Sequence, residues 1–183
     1  MTTLFWFFII ISLVVLNYLF SNILDYVNHS NWKDEIPNEL KDFYNKKKYK
    51  KAKDYALSKN KIGLFSSSIS FLFIMTLLVF NGYGFIDQLV NMDILKSFFL
   101  FDLNSSFAQS GLFFLILFIL NSIISIPFSY YNTFIIEEKF GFNKTTKSTF
   151  FLDILKSFFL SVFIGGALLF LALYLYDNLN DGF

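Results

Sequence analysis

The sequence predicts an all-α membrane protein with about four transmembrane helices and a lysine-rich helix on the cytoplasmic side. Three observations predict it. Hydrophobic residues make up 55% of the 183 positions, 28 of them Phe, more aromatic surface than a water-soluble domain of this length needs to bury. The apolar residues fall in unbroken runs, without the two-residue or 3.6-residue alternation of a half-buried surface. And ten of the fifteen basic residues, all of them Lys, lie between Lys33 and Lys61.

Four runs are long enough to span, since about 20 residues at about 1.5 Å rise cross a hydrocarbon core of about 30 Å. They are Leu4–Leu24, Ile62–Phe80, Gly111–Tyr131 and Ser157–Tyr176. Lipid offers no partner to backbone polar groups, and the runs do not alternate as barrel strands do, which leaves helices. The first run lacks a preceding Lys or Arg and a following A-x-A site, so it reads as an anchor and not a cleaved signal peptide. Residues 1–183 read as one membrane domain.

Lysine excess places the 33–61 segment in the cytoplasm. The N-terminus, the Gly82–Ser110 loop and the tail after Tyr176 then lie outside, and Asn132–Lys156 lies inside. The outer loop agrees, with Asp87, Asp93 and Asp102 against Lys96 alone. Within the lysine-rich segment, Leu40, Phe43/Tyr44, Ala52 and Tyr55/Ala56 recur at near-helical spacing. This predicts a helix over about 38–61, starting after Pro37 with Asp34 and Glu35 near its positive end and running into the second span. Such a helix suits an anionic headgroup layer; a partner- or substrate-binding surface is the alternative.

The octapeptide DILKSFFL occurs at Asp93–Leu100 and again at Asp153–Leu160. Flanking residues differ, so it reads as two interfacial anchors, with Asp153 and Lys156 three apart on one helical face. Asn17, Ser66, Ser67, Ser68, Ser70, Asn121, Ser122 and Ser125 are polar groups inside apolar runs. They should pair across helices or line a water-filled cavity. Ser161, Gly165 and Gly166 give a small-residue face on the last span that lets another backbone approach. Sequons at Asn28, Asn104 and Asn143 are too common a pattern to carry weight, and only Asn104 would face outward.

The segment Ile126–Phe151, IPFSYYNTFIIEEKFGFNKTTKSTFF, is too aromatic for a solvated loop. Pro127 lacks an N–H and is expected to kink or end the third span, directing Tyr130 to Phe134 away from its axis. Gly141 marks a turn, Asn143 to Thr146 offer a cap for the next helix, and the whole segment should pack back onto the membrane body. Glu137 and Glu138 should form ion pairs with Lys139 or Lys144, or cap a helix.

Here the sequence resembles the type 1 CAAX prenyl proteases, integral-membrane zinc metallopeptidases that cut after a lipidated C-terminal cysteine. The resemblance rests on Ile126–Thr146 followed by Asp153–Leu160, and on Ile36-Pro37 through Tyr49–Ser68, YKKAKDYALSKNKIGLFSSS. It implies the N-terminal part of a seven-helix body that surrounds a chamber. It also implies that Asn132, Glu137, Glu138, Phe142, Asn143 and Lys144 border the chamber or brace the catalytic part. The family binds zinc through H-E-x-x-H on a later helix plus a downstream glutamate; this chain holds one histidine, His29, and no Cys. No catalytic or metal-binding residue is therefore assigned, and no cofactor is expected in this chain, zinc belonging to the missing catalytic half. A fragment, a truncated product or a stand-alone relic would fit.

Expected partners are the lipid bilayer, the catalytic half in cis or in trans, and a peptide substrate. Net charge is only +1, so nothing points to nucleic acid. No phosphate loop appears, and Ser30 beside His29 is a sequence neighbour, not a triad. A catalytically silent membrane scaffold or binding subunit is the alternative, and a small four-helix channel or transporter component a third. The abundance of Lys, Asn, Ile and Phe without Arg suggests an AT-rich genome and favours a bacterial inner membrane over an endoplasmic reticulum.

Overall fold

A computed structural model of the chain describes residues 3–92 and 106–180, all helix, turn or coil with no strand among them. The helices are α1 (Thr3–Ser30), α2 (Lys46–Val79), α3 (Gly82–Val90), α4 (Ser106–Tyr131) and α5 (Lys147–Asn180). Beyond α4 the chain continues as a π-helix, Asn132–Glu137, and a last helical turn, Glu138–Phe140. Among the described residues four helices are long and apolar enough to cross a membrane: Thr3–Ser30, Lys46–Val79, Phe107–Phe140 and Lys147–Tyr176. Their exposed leucines, isoleucines and phenylalanines are what lipid would cover, and α1 buries no residue at all.

The lysine-rich segment departs from expectation in its start. Asn38–Leu40 form only a 3₁₀ turn, and the long helix begins at Lys46, capped by Asn45, whose Oδ1 accepts from the Lys48 N–H at 2.8 Å. Asp34 is thus not near a helix start. It accepts from Lys53 at 2.6 Å, and Lys53 also donates to the Trp32 carbonyl. Tyr49, buried, donates to the Lys33 carbonyl and meets Trp32 and Tyr44 edge-on. From Lys46 the helix runs unbroken into the second span, as expected. Lys53 donates a hydrogen bond to the Asp34 carboxyl and attracts its charge, which holds that group below its ordinary value of 3.8. A depressed carboxylate contributes stability above its unfolded pKa and loses it as pH falls through the lower folded value. This tie therefore weakens as pH falls below the ordinary carboxylate value.

Two compact units make up the chain: Met1–Phe80 with Ile123–Asn143, and Asn81–Ser122 with Lys144–Phe183. In the first, α1 and α2 are joined through the polar residues inside their apolar runs. Tyr18 and Ser68 share a hydroxyl hydrogen bond of 2.8 Å, Ser67 donates to Asn22 at 3.4 Å, and the Tyr18 and Phe71 rings stack at 4.2 Å. Pairing of span serines across helices is thus seen at Ser67 and Ser68, whereas Asn17 and Asn121 are exposed.

In the second unit the segment expected as an outer loop contains α3. It starts after Asn81, whose φ of 56° is a left-handed conformation that asparagine tolerates. Ile86 and Val90 are buried, and Val90 packs with Leu112 among Ala108, Phe113, Leu115 and Ile116. On α5, Asp153 and Lys156 sit 3.8 Å apart on one exposed face. The other DILKSFFL copy, Asp93–Leu100, and the Asn104 sequon lie outside the described residues.

The orientation is tested by single-cysteine labelling, clean because the chain has no native Cys. An impermeant maleimide on intact cells should label Gln88→Cys and spare Lys48→Cys. The reverse pattern would invert the topology.

Candidate functional site

Pro127 does not end the third span: α4 continues through it, and the helical path persists to Phe140. The carbonyl four residues back loses its usual donor, a cost that membrane helices tolerate when neighbouring groups re-satisfy the backbone. The departure from α geometry comes five residues later, in the π-helix Asn132–Glu137. Single π turns widen the helix and collect at functional positions.

Gly141, at φ +73°, stops the helix. The Gly141 N–H donates to the Glu138 carbonyl at 3.0 Å and the Phe142 N–H to the Glu137 carbonyl at 2.8 Å, a Schellman motif. Any residue with a Cβ is strained at that φ. Further on, Thr146 caps α5 by accepting from the Thr149 N–H at 3.1 Å, as the Asn143–Thr146 stretch foretold.

At the end of the span a polar cluster forms within the first unit. The Glu137 carboxylate receives Lys59 at 3.3 Å and the Asn132 side-chain amide at 3.3 Å. Its expected partners, Lys139 and Lys144, are not its partners. On a helix the Lys139 side chain lies about 200° round from Glu137, whereas Lys59, 78 residues back, is brought alongside by α2. Glu138 points elsewhere and accepts from the Asn143 amide at 2.9 Å. The Asn132 Oδ1 is buried and receives no hydrogen bond, which is uncommon for a buried acceptor.

Aromatic residues close the cluster. Tyr55 meets Phe140 at 5.4 Å and Phe142 at 4.8 Å, edge-on, while Lys59 lies over Tyr55 and Lys51 over Phe142. Of the aromatic residues in the Ile126–Phe151 segment, Phe140 and Phe142 thus pack on Tyr55 of α2. Asn132, Glu137, Glu138, Phe142 and Asn143 come together here. Lys144 is exposed and, like Ser161, Gly165 and Gly166, belongs to the other unit. Sequence reasoning missed Lys59; the available signal was a lysine one turn before the apolar run, four residues after Tyr55.

These residues do not fit a zinc centre. Among the described residues no three His, Cys, Asp or Glu side chains cluster, the chain has one imidazole, and the Glu137 carboxylate is taken by Lys59 and Asn132.

Residues 25–183 match the family model described as CAAX prenyl protease N-terminal, five membrane helices. CAAX prenyl protease 1 of Saccharomyces cerevisiae is 30% identical over 183 residues, covering 97% of this chain and 40% of that protein. The probable CAAX prenyl protease 1 of Schizosaccharomyces pombe is 33% identical over 128 residues, 68% of this chain and 27% of that protein. The crystal structure of S. mikatae Ste24p superposes with a TM-score of 0.79 at 28% identity, over 94% of this chain and 40% of that one. The chain therefore spans well under half the length of the relatives it matches. These relatives are eukaryotic, so the bacterial inner membrane favoured from composition gains no support: low Arg content reports base composition, not compartment. The match over residues 25–183 and the 30% identity across 97% of the chain show the same thing: this chain belongs to the CAAX prenyl protease family and carries its N-terminal membrane domain.

Proposed function

We propose that this domain shapes the intramembrane chamber and substrate route of a CAAX-type zinc metalloendopeptidase, while an H-E-x-x-H part outside these residues supplies zinc and bond cleavage. The substrate is a peptide whose lipidated cysteine is followed by the C-terminal residues that cleavage removes. The observation that carries the reading is the polar cluster at the end of the third span. A buried Asn132 Oδ1 without a donor lies beside a carboxylate held by Lys59, so the cluster carries an acceptor that the described residues leave unsatisfied. Glu137, Glu138, Phe142 and Asn143 then brace the catalytic part or border the chamber, with Lys144 beside them in sequence. The small face of α5 offers a second junction: a Cβ added at Gly165 or Gly166 meets nothing within 4 Å, so the space there is open to a partner helix.

The test is to supply this chain together with the H-E-x-x-H part and follow chelator-sensitive cleavage of a farnesylated peptide. Cleavage should require both. Gly165→Leu should lower co-purification of the two parts about tenfold, the effect of about 1.4 kcal/mol of lost packing. Unchanged co-purification would remove the α5 face as the junction. Stable association without cleavage would favour the silent scaffold.

A further inference from the structure

A cavity of about 330 Å³ opens beside the polar cluster, lined by Ser58, Lys61, Ile62, Phe65, Tyr131, Ile135, Ile136 and Lys139. Its lining mixes two chemistries. Ser58, Lys61 and Lys139 supply polar groups, whereas Ile62, Phe65 and Ile135 supply apolar ones, and Phe65 is 60% exposed. The division follows the chain: Lys61 is the last charged residue before the apolar run of α2, and Lys139 lies just past the apolar end of the third span. The cavity therefore straddles the boundary between headgroups and hydrocarbon.

Among the described residues no carboxylate offsets its charge, although the Lys139 ammonium lies over the Phe140 ring, 5.4 Å from its centroid. Lys59 is neutralised by Glu137 and Lys53 by Asp34, but neither Lys61 nor Lys139 has an ion-pair partner among the described residues. Two ammonium groups on one small cavity repel each other unless an anion lies between them. A hydroxyl at Ser58 and the phenol of Tyr131 add hydrogen-bonding capacity. A free phosphate would satisfy the lysines but leave Phe65, Ile62 and Ile135 without an occupant. A zwitterionic lipid has no net negative charge to set against two ammonium groups.

We propose that this cavity binds one anionic phospholipid of the leaflet that faces the lysine-rich segment, its headgroup held by Lys61 and Lys139 and the start of an acyl chain lying on Phe65 and Ile135. Positive-inside orientation makes that leaflet the cytoplasmic one, where anionic lipids are enriched. The site is separate from the Glu137 cluster and does not depend on the domain's part in proteolysis.

Native mass spectrometry of the purified protein, released from vesicles of equal phosphatidylserine and phosphatidylcholine, tests this. Wild type should retain one phosphatidylserine. Lys61→Gln with Lys139→Gln should lower that occupancy on the order of thirtyfold, from about 1 kcal/mol per lysine near a headgroup. Lys46→Gln with Lys47→Gln, the same charge loss away from the cavity, should leave it unchanged. Phe65→Ala should lower it while leaving the lysines in place, an independent check should the double variant fold poorly. Equal loss from both lysine pairs would mean only general attraction, and would overturn the site. So would displacement of the lipid by excess inorganic phosphate in wild type, which would mark a soluble-anion site. Displacement by a farnesylated peptide in place of phosphatidylserine would assign the cavity to substrate and overturn the lipid reading.

Discussion

Replacing Glu137 with alanine is expected to destabilise the domain by about 1–3 kcal/mol, the range for removing a charge-assisted acceptor that is neither fully buried nor fully solvated. With side-chain exposures of 42% for Lys59 and 26% for Glu137, the pair falls between a surface ion pair, about 0–1 kcal/mol, and a buried one whose rupture costs about 3–5 kcal/mol. Loss of the carboxylate strands two donors at once, the Lys59 ammonium and the Asn132 amide, and the Asn132 Oδ1 is already without a partner. The turn at Gly141 should survive, because it depends on the Glu137 backbone carbonyl and not its side chain. Thermal unfolding of Glu137→Ala, Lys59→Ala and the double variant in detergent gives the cycle. A coupling of about 1 kcal/mol is expected; additive effects would mean the contact contributes nothing. Glu137→Gln, which keeps an acceptor for Asn132 and loses the charge, should fall between.

The second large effect is on chemistry. This chain alone should bind no stoichiometric zinc and cleave no farnesylated peptide, because a catalytic zinc needs about three protein ligands, an open position and a base beside the bound water. His29 is the single imidazole, no thiolate exists, and Glu137 and Glu138 diverge by about 100° on their helix, the first toward Lys59 and the second toward Asn143. Carboxylates alone would favour harder ions. Elemental analysis and a chelator-sensitive peptide assay check both parts. Zinc together with cleavage, in a preparation free of any second chain, would place the chemistry within these residues.

Local chemistry decided what was legible in advance. Apolar run length located four spans, because lipid imposes both length and helicity, but the helices begin well before the apolar runs at Lys46 and Lys147. Gly141 and Thr146 announced a helix stop and a cap through backbone requirements that depend on one residue each. The motif around Glu137 was readable as a block, and so was its family.

The start of α2 was not readable, because Pro37 and Asn45 are both good entry signals. The choice fell to Tyr49 and Lys53, which pin residues 32–34 against the helix through bonds spanning 16 to 21 positions. Nor did Pro127 decide the end of the third span: α4 continues through it and the chain leaves α geometry only at Asn132. The sequence by itself determined an all-helical membrane domain of the CAAX prenyl protease family. Only the tertiary structure decided that Glu137 faces Lys59 and that Lys61 and Lys139 share a cavity. Composition and period fix which stretches are helices and how deep they sit; which side chains meet depends on how the helices are rotated and set in register, and that is chosen by contacts such as Tyr18–Ser68 and Tyr55–Phe142, formed between residues far apart in the chain.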